Sequence, residues 1–258
     1  MSKPKLLITM GCSFTEGVGC WDESKLPTGF SPNHHRYRDV FYLQKPRFHE
    51  LGWPNRLGKK LGYDKVINLG LGGSSTSGQV KQFFEKYLDK DFSEYDVLIV
   101  WLLPNPNRIS FYKDGKIQNI VHDNTLFPAY IKFLSNSYNM DNDFINEQLF
   151  YRNIIKTICK FKSYSLVSFH LFNKDYGELI QEKLGNDTSH SPILLDDNPS
   201  DNIQHISPIC GHWNENGYEL VSNNMFNWIN TTHPNLIHNP VNTIEWEWDG
   251  YCLNSNMN

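Results

Sequence analysis

The sequence predicts an α/β protein, a three-layer α/β/α sandwich around a mostly parallel central sheet with loop insertions. Three observations predict it. Strand-like and helix-like segments alternate along the 258 residues, the pattern of parallel strands joined by crossover helices. The runs Leu6 to Met10 and Val97 to Leu103 are almost continuously apolar, as expected of strands covered on both faces. The first run also stops abruptly at Gly11-Cys12-Ser13, a small-residue turn carrying one hydroxyl. Such a turn at the carboxyl end of a first parallel strand faces the crevice where open α/β sheets bind ligands.

The elements follow in order. After the first strand, Gly19 to about Phe48 is rich in Pro, His, Arg, Tyr and Asp and lacks clear periodicity, so it reads as an irregular functional loop or insertion. Trp53 to Gly62 reads as a short helix, with Pro54 in its first turn and Gly62 after its last. Val66 to Gly70 is the second strand, running into Leu71-Gly72-Gly73-Ser74-Ser75. Ser77 to about Leu88 is an amphipathic helix, with Val80, Phe83, Phe84 and Tyr87 on one face. Val97 to Leu103 is a buried central strand.

Pro104 to Asn139 is again irregular, apart from a hairpin turn at Phe111 to Lys116. Helices are expected at Phe144 to Phe161, Gly177 to Leu184 and Asn216 to Ile229, and strands at Ser165 to Phe172 and Pro192 to Leu195. Ile244 to Trp248 alternates like an edge strand. This divides the chain into one domain over 1–230, with insertions at about 19–48 and 104–139, and a tail over 231–258 that packs on the domain or on a partner.

The composition narrows the function. A net charge of −4 disfavours non-specific nucleic-acid binding, which needs a dense positive field. Arg36, Arg38, Lys45 and Arg47 form a basic cluster, interleaved with aromatics, that reads as the lining of a surface loop. No stretch approaches the roughly 18 to 20 apolar residues of a membrane span, and the run after Lys3 and Lys5 is too short for a secretory signal. Cys12, Cys20, Cys159, Cys210 and Cys252 show no pairing pattern and suit reduced thiols. The expectation is a cytoplasmic protein with neither a nucleic-acid nor a membrane partner.

The residues that carry chemistry sit at the turns. Ser13 can serve as a nucleophile if a base takes its proton. His212, on a loop before the last helical segment, is the candidate base, since imidazole titrates near neutrality. Oxyanion donors are available from the backbone at Ser13 and the Gly72-Gly73 turn, and from the amide of Asn105. Each residue also has a simpler reading: Ser13 or Asn105 as a turn residue, and His212 as a hydrogen-bonder at a helix start. Cys12 reads as a small buried hydrophobe rather than a nucleophile. His205, Cys210 and His212 fit no usual zinc spacing, so neither metal nor cofactor is expected.

Gly11-Cys12-Ser13-Phe14-Thr15-Glu16-Gly17, Asn68 to Ser74, Asp96 to Asn105 and His212 to Tyr218 together resemble the conserved blocks of the SGNH (GDSL-type) hydrolases. The resemblance implies a flavodoxin-like sandwich, Ser13 as nucleophile, His212 as base, and an oxyanion hole of Ser13, Gly73 and Asn105. It implies hydrolysis of a small acyl or acetyl ester, carbohydrate-linked in some members, with Trp21, Arg36, Tyr37 and Arg38 available for substrate recognition. There are departures from the pattern. Cys12 stands for the Asp beside the nucleophile, Leu103 for the Gly that opens the third block, and Asn107 competes with Asn105. Ile209 occupies the place of the acid that orients the histidine, leaving a nearby backbone carbonyl or Asp201 as substitutes.

Two other functional classes remain open at this point. One is a binding or assembly protein on the same fold, motivated by Ile209. The other is a nucleotide-binding doubly wound domain, motivated by Gly70-Leu71-Gly72-Gly73-Ser74, although neither a full Gly-x-Gly-x-x-Gly run nor a Walker-type Gly-Lys-Ser is present.

Overall fold

A computed structural model describes residues 2–105, 108–113, 116–120, 140–170, 174–185, 187–191 and 203–248. The strands are β1 (Lys5–Gly11), β2 (Lys65–Gly70), β3 (Asp96–Leu103), β4 (Ile109–Lys113), β5 (Lys116–Ile120), β6 (Ser165–His170), β7 (His190–Ser191) and β8 (Glu245–Trp248). The helices are α1 (Ser13–Glu16), α2 (Tyr37–Leu51), α3 (Trp53–Leu61), α4 (Thr76–Tyr87), α5 (Met140–Lys162), α6 (Lys174–Leu184) and α7 (Glu215–Thr232).

Six of these strands form the central sheet in the order β7-β6-β3-β1-β2-β8, and every pairing in it is parallel. Its two faces carry separate cores, which makes the molecule three-layered. Leu7 of β1, with Leu98, Val100 and Leu102 of β3, packs against Trp53, Leu57 and Leu61 of α3 and Val221, Met225 and Ile229 of α7. Leu6, Ile8 and Met10, the alternate residues of β1, pack with Val97, Ile99 and Trp101 against Val80 and Phe83 of α4 and Ile155 of α5. β3 is therefore apolar in both phases, and β1 contributes Leu7 to one face and Leu6, Ile8 and Met10 to the other, because each phase faces a helical layer.

Chain order reverses between β1 and β3: the chain steps to β2 on one side and later to β3, β6 and β7 on the other. Loops leaving the carboxyl ends of strands on either side of such a reversal diverge and open a crevice. Ser13 follows β1 and Asn105 follows β3, so the topology alone sends both to this crevice. Beyond residue 230, β8 joins the sheet edge beside β2, pairing Lys65 with Glu245 and Asn68 with Trp248.

One expectation needs correcting. The segment 19–48 is not irregular throughout: Tyr37–Leu51 is a helix of 15 residues. Its buried face is Val40, Gln44, Lys45, Phe48 and His49, which has helical spacing but is mostly polar. A hydrophobic-periodicity reading misses such a face, and Pro46 inside the helix reads as a breaker. Each of these polar side chains has a partner elsewhere in the chain, although the second ring nitrogen of His49, Nε2, meets none among the described residues. Gln44 accepts the Asp22 N–H at 2.7 Å, Lys45 pairs with Glu16 at 2.8 Å, and His49 Nδ1 accepts from Asn68 Nδ2 at 3.0 Å. Around the turn expected at 111–116, whose residues 114 and 115 lie outside the described residues, β4 and β5 form an antiparallel pair apart from the main sheet. The strand expected at 192–195 lies outside the described residues, as do Asn107 and Asp201.

Burial holds three structural histidines neutral, pushing His49 down to about 3, His170 to about 4 and His190 to about 3. An unfolded histidine titrates near 6.5, so below that pH the unfolded chain takes up protons that the native state refuses. Stability is then fully kept above about pH 6.5 and falls as the pH drops toward about 4. The urea midpoint is expected to fall between about pH 7.5 and pH 5.5, a window above the carboxylate range. An unchanged midpoint would contradict the burial of these three rings.

Candidate active site

Ser13 is presented by a one-turn helix. The carbonyl of Cys12 accepts the N–H groups of Thr15 and Glu16 at 2.9 and 3.0 Å, and Gly17, with φ of +87°, ends the turn. The first residues of a helix have no intrahelical acceptor for their N–H groups. Accordingly the Ser13 N–H makes no hydrogen bond among the described residues. Cys12 itself is fully buried, as expected of a small hydrophobe. The Ser13 side chain is nearly buried, and its Oγ lies 2.8 Å from Nε2 of His212.

The two halves of this contact are 199 residues apart in sequence, and aromatic packing joins them. Phe14 packs tilted against the His212 ring, centroids 4.9 Å apart, and against Trp213 at 4.5 Å. Tyr218 donates its hydroxyl hydrogen to the Val18 carbonyl at 2.8 Å. Asn214 caps α7 by accepting the Gly217 N–H at 3.1 Å, so the Asn-x-x-Gly pattern sets where the histidine loop ends.

A backbone carbonyl, one of the two alternatives expected from sequence, lies against His212; Asp201, the other, is outside the described residues. His212 Nδ1 lies 3.1 Å from the carbonyl oxygen of Cys210, immediately after Ile209. A carbonyl only accepts, so Nδ1 carries the proton and the Nε2 lone pair faces the Ser13 hydroxyl. That is the tautomer a general base needs. Burial, with help from the Arg108 charge, pushes His212 down to about 4, while the Cys210 carbonyl acts in the opposite direction. The imidazole is therefore neutral at pH 7. An imidazolium at this position would meet a carbonyl dipole rather than a carboxylate, and would gain less stabilisation than beside an acid.

The second loop lies against the first. A Cβ built on Gly70 would sit 2.2 Å from the Glu16 nitrogen, so the end of β2 touches the backbone of α1 directly. Asn68 ties the same junction, donating to the Thr15 carbonyl at 2.9 Å and accepting the Gly70 N–H at 2.8 Å. The Gly72 N–H donates to Glu16 Oε2 at 3.0 Å, and Gly73 takes a left-handed φ of +73°, which favours glycine. The Gly73 N–H, half-buried, makes no hydrogen bond among the described residues. With a carboxylate already on Gly72, the loop suits an incoming phosphate poorly, which weighs against the nucleotide reading.

Asn105 lies just past β3, half-buried, and its carbonyl accepts the Arg108 N–H at 3.2 Å. Arg36 and Arg38 are exposed at the start of α2, and Tyr37 is half-buried and stacked on Phe30 at 5.5 Å. Trp21 is 6 % exposed, edge-on to Phe48 at 4.8 Å, and its indole N–H donates to Cys210 Sγ at 3.3 Å. It is packed inside and braces the histidine loop, whereas the sequence suggested a residue open for substrate recognition. From sequence alone Glu16 and Arg108 carry no role and Lys45 belongs only to the basic cluster, whereas Lys45 is buried against Glu16; no spacing rule links residues 16 and 45. Among the described residues, no group of three or more His, Cys, Asp or Glu side chains could hold a metal ion. Nor is any helix among them long and apolar enough to cross a membrane.

No family model matches this chain, and none of the curated proteins does. Among solved structures it is similar to the lipase Lip_vut3 from a goat rumen metagenome. The TM-score is 0.51 at 12 % identity, over 87 % of this chain and 97 % of the lipase. At that identity the likeness is one of fold.

Proposed function

We propose that this protein is a serine-dependent ester hydrolase of the SGNH type, working through a Ser13–His212 dyad. The observation that carries the reading is the 2.8 Å contact between Ser13 Oγ and a His212 Nε2 whose tautomer is fixed by the Cys210 carbonyl. The lipase named above, with its shared fold, lends coarser support.

In this reading Ser13 Oγ attacks the ester carbonyl carbon as His212 Nε2 takes the hydroxyl proton. Negative charge gathers on the former carbonyl oxygen and is met by the N–H groups of Ser13 and Gly73, with the Asn105 amide as third donor. His212 returns the proton to the leaving alcohol. Water, deprotonated by the same nitrogen, then releases the acid from acylated Ser13. No cofactor enters this cycle. The preferred substrate is a small acyl ester, an acetyl group on a carbohydrate included, with Arg36, Tyr37 and Arg38 available for its recognition. Free thiols at Cys12, Cys20, Cys159 and Cys210 agree with a cytoplasmic setting.

Hydrolysis of p-nitrophenyl acetate tests the reading. Wild type is expected to turn it over, and Ser13→Ala to fall to the buffer rate with unchanged melting temperature. A folded wild type without activity would favour the second reading, a ligand-binding protein in which a carbonyl has replaced the orienting acid.

A further inference from the structure

We propose that the buried Glu16–Lys45 ion pair is the positioning device of the oxyanion hole, holding the Gly72-Gly73 loop so that the Gly73 N–H faces the reacting carbonyl. The inference rests on the ester-hydrolase reading for its catalytic consequence, but not for its structural one.

Glu16 uses both carboxylate oxygens. Oε2 accepts the Gly72 N–H at 3.0 Å, and Oε1 meets Lys45 Nζ at 2.8 Å. The two side chains are 5 % and 7 % exposed, so this is not a solvated surface pair. Lys45 is closed in from the far side by the Trp248 ring of β8, 3.3 Å from its centroid, with Phe41 and Tyr42 at 5.5 and 5.7 Å. Burying two charges is costly, and a pair of apolar side chains would often be at least as stable there. Stability therefore does not explain the pair well, whereas placement of a donor does.

The placement is short-ranged. Glu16 closes the one-turn helix that presents Ser13, so one rigid turn carries the nucleophile and the acceptor for the loop. Once the Gly72 N–H is pinned, only the two dihedrals of Gly72 remain before the Gly73 N–H. Lys45 and Trp248 complete the arrangement from α2 and β8, which couples the sheet edge to the site. Both residues are positioning residues, since neither touches substrate.

The test compares two double variants that both remove the charges and differ in one acceptor. Glu16→Gln/Lys45→Met keeps a side-chain oxygen for the Gly72 N–H; Glu16→Met/Lys45→Met keeps the volume without the oxygen. For p-nitrophenyl acetate, the Gln variant is expected to retain kcat within about threefold of wild type. The Met variant should lose about tenfold to a hundredfold in kcat with KM nearly unchanged. Hydrogen exchange over residues 69–75 is read in parallel, and should speed up in the Met variant alone.

Equal kcat in the two folded variants would overturn the proposal. If wild type hydrolyses nothing, the ester-hydrolase reading fails, and exchange still decides the positioning claim: equal exchange in both variants overturns it. Should Glu16→Met/Lys45→Met not fold, Glu16→Ala/Lys45→Met supplies the same comparison.

Discussion

Replacing His212 with alanine is expected to lower kcat/KM for an activated ester by about a hundredfold to ten-thousandfold, the range lost with a general base. The ring faces Ser13 Oγ at 2.8 Å, and among the described residues no other base meets that hydroxyl. Wild-type activity should also keep its histidine in the base form well below neutrality. With His212 pushed down to about 4 by burial, kcat/KM falls only as the pH drops through that value, not through 6.5. Rates are measured at once after transfer to low pH, before acid unfolding intervenes. An acid limb centred near 6.5 would mean that the ring is hydrated and loosely held.

Gly70→Ala is the second substitution with a large expected effect. The added Cβ would fall 2.2 Å from the Glu16 nitrogen and 2.6 Å from the Glu16 Cα and the Thr15 carbonyl carbon. These are backbone atoms and cannot swing aside, so α1 has to move off the end of β2. Overpacking of this kind costs about 1 to 3 kcal/mol. The displacement also separates Ser13, on α1, from Gly73, on the loop leaving β2. A misplacement near 1 Å costs about a hundredfold in rate. The expectation is a lowered melting temperature together with a kcat/KM reduced by about that factor. A folded Gly70→Ala with wild-type kinetics would show that the two loops are not in rigid register.

How far the sequence could be read differs by element. β1, β2 and β3 were legible because both faces of each are covered, so their residues form runs that are apolar apart from Thr9 and Asn68. Ser13 and His212 were legible because each sits at a punctuated turn with recognisable neighbours, Gly11 to Gly17 and Asn214 to Tyr218. Helix α2 was not, since its buried face is built from Gln44, Lys45 and His49, whose burial depends on Asp22, Glu16 and Asn68 elsewhere in the chain. The histidine's orienter was only half legible. A carboxylate announces itself as a residue type, but a backbone carbonyl is carried by every residue, and only coordinates single out Cys210. Trp21 misled for a related reason: an aromatic in a polar segment reads as a ligand contact, and here it is packing.

The central claim is that Ser13 is a nucleophile activated by His212. Labelling with a fluorophosphonate probe, followed by peptide mass mapping on wild type and His212→Ala, tests it most directly. The account predicts a single adduct on Ser13 that forms in wild type and is lost in His212→Ala. A folded wild-type protein that stays unlabelled, or that carries its adduct on another residue, would contradict it.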